Sequence, residues 1–150
     1  MAGDFVIGVD SGKDVHMFNK AVNCQLVMDC TDLSKFASGA YDFVFSSHLL
    51  EHFPYADVPK ILREWLRVVK IGGNLVMYLP NDTLYPKCKE PEIGIMQAED
   101  WSNADHKWNQ NYERTTAALE KTGHNFDLVY YELCGGDDEY SDFYAVKKLK

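Results

Sequence analysis

The segment from Tyr41 to Pro80 constrains the fold of this chain more than any other. It contains two short apolar runs, Tyr41 to Ser46 and Asn74 to Leu79, which are typical of buried strands. Between them, apolar side chains recur at helical spacing, at positions Val58, Ile61, Leu62, Trp65, Leu66 and Val69. The pair Gly72-Gly73 predicts the end of this helix. A strand, a crossover helix and a second strand predict two parallel strands lying side by side.

Two more apolar runs precede this segment, Phe5 to Asp10 and Gln25 to Asp29, and each ends in an acidic residue. Both are predicted to be strands covered on both faces. After the segment, the stretch from Asn81 to His106 has no periodicity, so we expect a lid, a binding loop or a surface loop there. Strands that alternate with helices predict an α/β sheet.

The C-terminal part of the chain predicts one helix and two strands. Helical spacing runs from Trp108 to Leu119 and ends before Gly123. The runs Phe126 to Leu133 and Phe143 to Leu149 flank a turn-rich segment. They therefore predict a terminal antiparallel hairpin.

Length and charge limit the classes of protein to consider. A chain of 150 residues predicts a single domain, residues 1–150. Its net charge of −8 argues against a nucleic-acid partner. No apolar run is long enough for a membrane helix, and no secretory signal precedes the four widely spaced cysteines, so we expect a cytoplasmic protein with reduced thiols and no membrane partner.

The central segment resembles the class I methyltransferases that use S-adenosylmethionine. The resemblance lies in Asp42 before a strand, Leu50-Glu51-His52 after it, and Arg67-Val-Val-Lys-Ile-Gly-Gly73, which is similar to the Arg-Val-Leu-Lys-Pro-Gly-Gly of one subgroup. It implies a Rossmann-like sheet with helices on both faces. It also implies transfer of a methyl group from S-adenosylmethionine, in this subgroup often to a sugar or a small metabolite.

The resemblance assigns cofactor-binding roles to residues that directly follow the predicted strands. Asp10 would accept hydrogen bonds from the ribose hydroxyls, although a turn-forming role for this acid is an alternative. Asp29 and Cys30 would contact adenine, while the nearby Asp32 is expected to be a helix cap and not a ligand. Ser46 and Ser47 would lie near the methionine part of the cofactor.

Methyl transfer requires in-line approach of a nucleophile, so positioning can supply most of the catalysis. Where a base is needed, His48, His52 or His106 can accept a proton near neutral pH, and we take His48 and His52 as the catalytic candidates. A hydrogen-bonded structural role is the alternative for each of them. The sequence from His48 to His52 also fits the His-x-x-Glu-His pattern of zinc peptidases. It has no evident third ligand, so no metal site is expected.

One feature of the family is missing from the sequence. Family members have a central first strand that ends in a Gly-x-Gly turn against the cofactor, and no such turn precedes Phe5. Two neighbouring strands would then lack a partner, and an upstream segment, closure of the flanking strands or a second copy of the chain would repair the gap. We therefore also keep a different function open, a non-catalytic domain that binds a protein partner.

Overall fold

The computed structural model describes residues 9–10, 26–81, 106–134 and 141–150. Six strands and two helices occur in these ranges. The strands are β1 (Val9–Asp10), β2 (Leu26–Val27), β3 (Tyr41–Ser47), β4 (Val69–Pro80), β5 (Phe126–Cys134) and β6 (Ser141–Lys148). The helices are α1 (Val58–Val68) and α2 (Tyr112–Glu120), and a short 3₁₀ turn, Leu50–His52, follows β3.

The strands form two sheets among the described residues. β3, β4, β6 and β5 lie side by side in that order, and β1 pairs with β2 in a separate two-stranded parallel sheet. β3 is parallel to β4, with Phe45 opposite Val76, so the predicted strand, helix and strand unit is confirmed. β5 and β6 are antiparallel, as predicted for the C-terminal hairpin. The α/β architecture expected from the sequence is therefore confirmed.

The two helices pack on the same face of the four-stranded sheet, where they bury the core. Its centre contains Leu62, Leu66, Leu75, Met77 and Tyr144, all fully buried. Burying side chains of this size contributes roughly 1.5–3 kcal/mol each. Neither α1 nor α2, the helices in the described part of the chain, is long and apolar enough to cross a membrane.

The opposite face of the sheet carries aromatic side chains in contact with solvent. Phe43 and Phe45 on β3 are 52% and 58% exposed, and Tyr130 on β5 is 48% exposed. β3 alternates these residues with the more buried Val44 and Ser46, which point toward the helices. The described helices thus cover one face only, and the part of the prediction that places helices on the second face falls on residues outside the described ranges.

Two boundaries differ from the sequence-based prediction. Gly72 and Gly73 were predicted to end the helix, but α1 ends at Val68 and both glycines lie inside the long strand β4. The register of β3 against β4 shifts between Tyr41 and Phe43, opposite this glycine pair. Trp108 was predicted to begin the second helix, whereas α2 begins at Tyr112 and Trp108 is a buried core residue ahead of it.

Side chains of α1 hold the segment that links β2 to β3. The indole of Trp65 donates a hydrogen bond to the Cys30 carbonyl at 2.8 Å. The guanidinium of Arg67 donates to the carbonyls of Leu33 and Phe36, at 2.8 and 2.9 Å. These hydrogen bonds fix the backbone of the segment after β2 against α1.

Candidate functional site

The candidate site lies where β3 and β4 end. In open parallel sheets, ligands bind beyond the carboxyl ends of the strands. His48 follows β3 directly, with its backbone in the left-handed region at φ 47°. Its N–H donates to the Tyr78 carbonyl at 2.9 Å, which keeps the chain against β4 as it turns away from the sheet. This bend aims the residues after β3 at the end of the sheet.

A carboxylate on the 3₁₀ turn after β3 lies close to three imidazoles. Glu51 is 0% exposed, and its Oε1 lies 3.6 Å from Nδ1 of His48. The Nε2 atoms of His52 and His106 each lie 3.9 Å from the same oxygen. The His52 and His106 rings meet edge to face, with centroids 5.1 Å apart. We call Glu51, His52 and His106 the histidine cluster.

His106 reaches this cluster because backbone contacts fix the segment that carries it. The Lys107 N–H donates to the Glu51 carbonyl at 2.8 Å. The Trp108 indole donates to the Leu50 carbonyl at 3.1 Å. His106 is therefore the third ligand candidate that the sequence pattern lacked, and only the folded chain reveals it. The peptidase interpretation does not hold, because His48 lies outside the 3₁₀ turn with a left-handed backbone and not one helical turn before His52.

A second polar network lies beside the end of β4. Asp142 is fully buried, and its Oδ2 accepts hydrogen bonds from Asn81 Nδ2 at 2.7 Å and from the hydroxyls of Tyr131 and Tyr144 at 3.2 Å. Burial, followed by the Asp142 charge, raises the pKa of Tyr131 to about 12. The same two causes raise the pKa of Tyr144 further. Both phenols are hence neutral donors at physiological pH.

Asp142 and Asn81 were not predicted as site residues. Asn81 follows β4 directly, and the rule that singled out Ser46 and His48 points equally to it. Asp142 lies opposite Leu79 at the start of β6, an antiparallel strand whose first residues reach the same edge. Its position depends on strand pairing, which the sequence pattern alone does not give.

The predicted cofactor residues occupy different environments. Asp29 is exposed, and its Oδ1 accepts hydrogen bonds from the N–H and hydroxyl of Thr31, at 2.8 and 2.7 Å. Cys30 is partly buried and forms no disulfide with another described residue. Asp10 is the last residue of β1, opposite Val27 of β2, and its side chain lies outside the described part of the structure. Asp10 thus ends β1, and Asp29 lies shortly after the end of β2, the strand that pairs with β1 in parallel.

Ser46 and Ser47 point to opposite sides of β3. Ser46 is buried on the helix-covered face, and its hydroxyl finds no hydrogen-bond partner in the described part of the chain, while Ser47 is exposed. His48 is one-third exposed, and its Nε2 lies 3.1 Å from the Ser141 hydroxyl. The structure therefore brings the catalytic candidates His48 and His52 together around Glu51, and it places Asp29 and Cys30 on a separate turn held against α1.

Comparisons with known proteins agree with this architecture. The family model described as "Methyltransferase domain" matches residues 1–77. The chain therefore belongs to the methyltransferase domain family. No curated protein sequence matches it.

Solved methyltransferase structures share the fold. A SAM-dependent methyltransferase from Archaeoglobus fulgidus aligns with a TM-score of 0.62 and 18% identity, over 95% of this chain and 75% of that one. An S-adenosylmethionine-dependent methyltransferase from Mesorhizobium loti aligns with a TM-score of 0.58 and 16% identity, over 79% of this chain and 66% of that one. A SAM-dependent methyltransferase from Leishmania major aligns with a TM-score of 0.54 and 12% identity, over 81% of this chain and 44% of that one.

The chain spans about half the length of several structural neighbours, 44% of the Leishmania protein and 58% of a protein from Pyrococcus horikoshii. At 12 to 18% sequence identity, the similarity to these solved structures establishes the fold alone. The Rossmann-like methyltransferase fold expected from the sequence is thereby confirmed.

Proposed function

We propose that the chain binds S-adenosylmethionine and transfers its methyl group to a sugar or another small-molecule acceptor. The observation that carries this proposal is the parallel pairing of β3 with β4 in a chain of the methyltransferase domain family. Both strands end at the edge where His48 and Asn81 follow. That edge is where open α/β sheets bind their ligands.

Asp10, Asp29 and Cys30 are the proposed contacts for the adenosyl part of the cofactor. A carboxylate that follows a parallel strand is suited to accept hydrogen bonds from ribose hydroxyls or from an adenine amino group. Asp29 is exposed, which leaves it accessible to a ligand. The Trp65 indole donates to the Cys30 carbonyl, which fixes the backbone at this position against α1.

Ser46, Ser47 and His48 are the proposed contacts near the methyl group. Because the Ser46 side chain points to the buried face, Ser46 would act through its backbone, while Ser47 offers an exposed hydroxyl. In the reaction an acceptor oxygen or nitrogen attacks the methyl carbon, the carbon–sulfur bond breaks, and its electron pair stays on sulfur. The acceptor's proton goes to a base or to water, and His48 or His52 is the proposed base.

Calorimetric titration of the purified chain with S-adenosylmethionine and S-adenosylhomocysteine tests cofactor binding. Asp29→Asn is expected to weaken both ligands by about 1–3 kcal/mol, the scale for losing hydrogen bonds to a charged group. Asp32→Asn is the matched control, because Asp32 makes the same local hydrogen bond, to the Ser34 N–H at 3.0 Å. Equal losses in both variants would mean that Asp29 only shapes its turn.

Transfer of a labelled methyl group to a panel of sugars and small metabolites tests the acceptor class. Label should appear in one acceptor and be lost in the Asp29→Asn variant in proportion to its weaker cofactor binding. Absence of any adenosyl binding at millimolar concentration would reject the proposal. It would favour the alternative, a non-catalytic domain that binds a protein partner.

A further inference from the structure

The carboxylate of Glu51 is buried, and neither of its oxygens has a hydrogen-bond partner among the residues that the structure describes. A buried anion of this kind costs several kcal/mol unless a positive charge neutralises it. The three imidazole nitrogens around Oε1 lie at 3.6 to 3.9 Å, beyond hydrogen-bonding distance. The carboxylate and the imidazoles are therefore close to one another but not hydrogen-bonded to one another.

These separations suit ligands that share one metal ion. Nitrogen and oxygen ligands bind Zn²⁺ at about 2.0–2.2 Å, which places tetrahedral neighbours roughly 3.3 Å apart. In the histidine cluster the ligand atoms of Glu51, His52 and His106 all lie within 4.8 Å of one another. Small side-chain shifts therefore bring all three onto an ion.

We propose that Glu51, His52 and His106 bind a divalent first-row transition-metal ion of the Zn²⁺ type. Two imidazoles and one carboxylate form a ligand set that leaves coordination positions open for water or a substrate atom. Imidazole-rich sets favour Zn²⁺, Co²⁺ or Fe²⁺ over Mg²⁺ and Ca²⁺, which prefer oxygen ligands. This site departs from the expectation, drawn from the sequence, of no metal.

The fold holds the three ligands in place. Glu51 and His52 share the 3₁₀ turn, and the hydrogen bond from Lys107 N–H to the Glu51 carbonyl fixes the segment of His106. The His52 side chain is 30% exposed, whereas that of His106 is 6% exposed, so an ion enters from the His52 side. His48 Nδ1 lies 3.6 Å from the same Glu51 oxygen, but His48 is not one of the three residues whose ligand atoms all lie within 4.8 Å of one another.

One consequence rests on the proposed function. A metal-bound imidazole nitrogen has no lone pair for a proton, so an occupied site removes His52 as a base and leaves His48. The metal site itself needs no adenosyl ligand. Metal binding and cofactor binding are therefore separate measurements, and either one can fail alone.

Calorimetry of the metal-stripped 150-residue chain with Zn²⁺ is the direct test. We expect one ion per chain and much weaker binding of Mg²⁺. Glu51→Gln and His52→Gln should each weaken Zn²⁺ binding at least about tenfold, since loss of outer-shell partners alone costs 10–100-fold. His124→Gln is the control, because the His124 imidazole contacts the Arg63 carbonyl and is not part of the histidine cluster. This variant should bind Zn²⁺ as tightly as the unmodified chain.

Circular dichroism establishes that each variant folds. If Glu51→Gln does not fold, His52→Gln carries the test, because its side chain is partly exposed. Visible absorption of the Co²⁺ form supplies a second measurement, and its d–d bands should disappear in His52→Gln. No uptake at a tenfold excess of Zn²⁺, equal affinity in His52→Gln and the unmodified chain, or an intense thiolate-to-cobalt band from cysteine ligands would each overturn the proposal.

Discussion

The ammonium group of Lys148, on the last strand, lies 2.8 Å from the carbonyl oxygen of Leu66, in the last turn of α1. It also donates to the carbonyls of Val69 at 2.8 Å and Arg67 at 3.4 Å. The final carbonyls of a helix have no partner within the helix, and a cation is favoured there. A residue near the C-terminus thus caps the helix that connects the two parallel strands.

Lys148→Met should lower the free energy of unfolding by about 1–3 kcal/mol, because it leaves buried carbonyls without a donor. Burial lowers the pKa of Lys148, because removing the ammonium group from water disfavours its charge. The hydrogen bonds to the three carbonyls offset this desolvation cost. Lys147→Met is the control, since Lys147 is exposed and surface changes usually stay within about 0.5 kcal/mol. Urea unfolding measures the free energy of unfolding of both variants. Equal losses of stability in the two variants would contradict the capping role of Lys148.

The ion pair between Glu64 and Arg67 should make stability depend on acid pH. Glu64 accepts from Arg67 Nε and Nη2 at 2.8 Å and from the Leu33 N–H at 3.1 Å. The hydrogen bond from Arg67 is the main cause that lowers the pKa of Glu64 below its ordinary 4.5. A depressed pKa means that this stabilisation is present above pH 4.5 and lost as the pH falls through the folded-state pKa.

Glu64→Gln should therefore be less stable than the unmodified chain at pH 7, by about 1 kcal/mol, and the difference should disappear toward pH 3. Glu120→Gln, which removes an exposed carboxyl of α2, is the control and should show no such trend. Unfolding midpoints at several pH values between 3 and 7 measure this. A difference that persists at low pH would mean that packing, not charge, accounts for the effect.

Tyr131 should make stability depend on alkaline pH. Its pKa is raised to about 12 from 10.0, mainly by burial. A raised pKa means that the stabilising contribution of the neutral phenol is complete below pH 10 and is lost as the pH rises toward 12. In Tyr131→Phe the free energy of unfolding, measured by urea unfolding, should fall less steeply between pH 9 and 11, and an unchanged slope in this variant would contradict the prediction.

The sequence predicted the strand, helix and strand unit because periodicity records which side chains are buried. The stripe from Val58 to Val69 is the face of α1 that packs on the sheet, and only the boundary at Val69 is shifted. The sequence also pointed to His48, which follows β3 directly, and to His52, which ends the 3₁₀ turn after that strand. These predictions depend on short stretches of chain.

The remainder of the site depends on contacts between distant segments. The hydrogen bonds of Lys107 and Trp108 to the 3₁₀ turn bring His106 to Glu51. Asp142 meets Asn81 only because β6 pairs with β4 in one particular register. A periodic pattern carries no information about such pairings, so neither the buried carboxylate at Asp142 nor the complete histidine cluster was predicted.

The glycine pair within β4 was predicted to end a helix, and the structure gives its two members different roles. Gly72 has φ +82°, a left-handed backbone, and a Cβ added there would meet nothing within 4 Å. A Cβ at Gly73 would overlap the Asp42 backbone carbonyl oxygen and lie 2.9 Å from Val69 Cγ1. Gly72 is required by conformation, and Gly73 by the close approach of β3.

Gly72→Ala should therefore cost about 1–2 kcal/mol, the usual strain of a left-handed alanine. Gly73→Ala should cost more, because a backbone oxygen cannot move aside without opening the β3–β4 pairing at the register shift beside Phe43. Hydrogen exchange of the β3 amides separates the two effects: Gly73→Ala should speed exchange along β3, and Gly72→Ala should not. Equal destabilisation with unchanged β3 exchange in both variants would show that β3 does not approach Gly73 as closely as described.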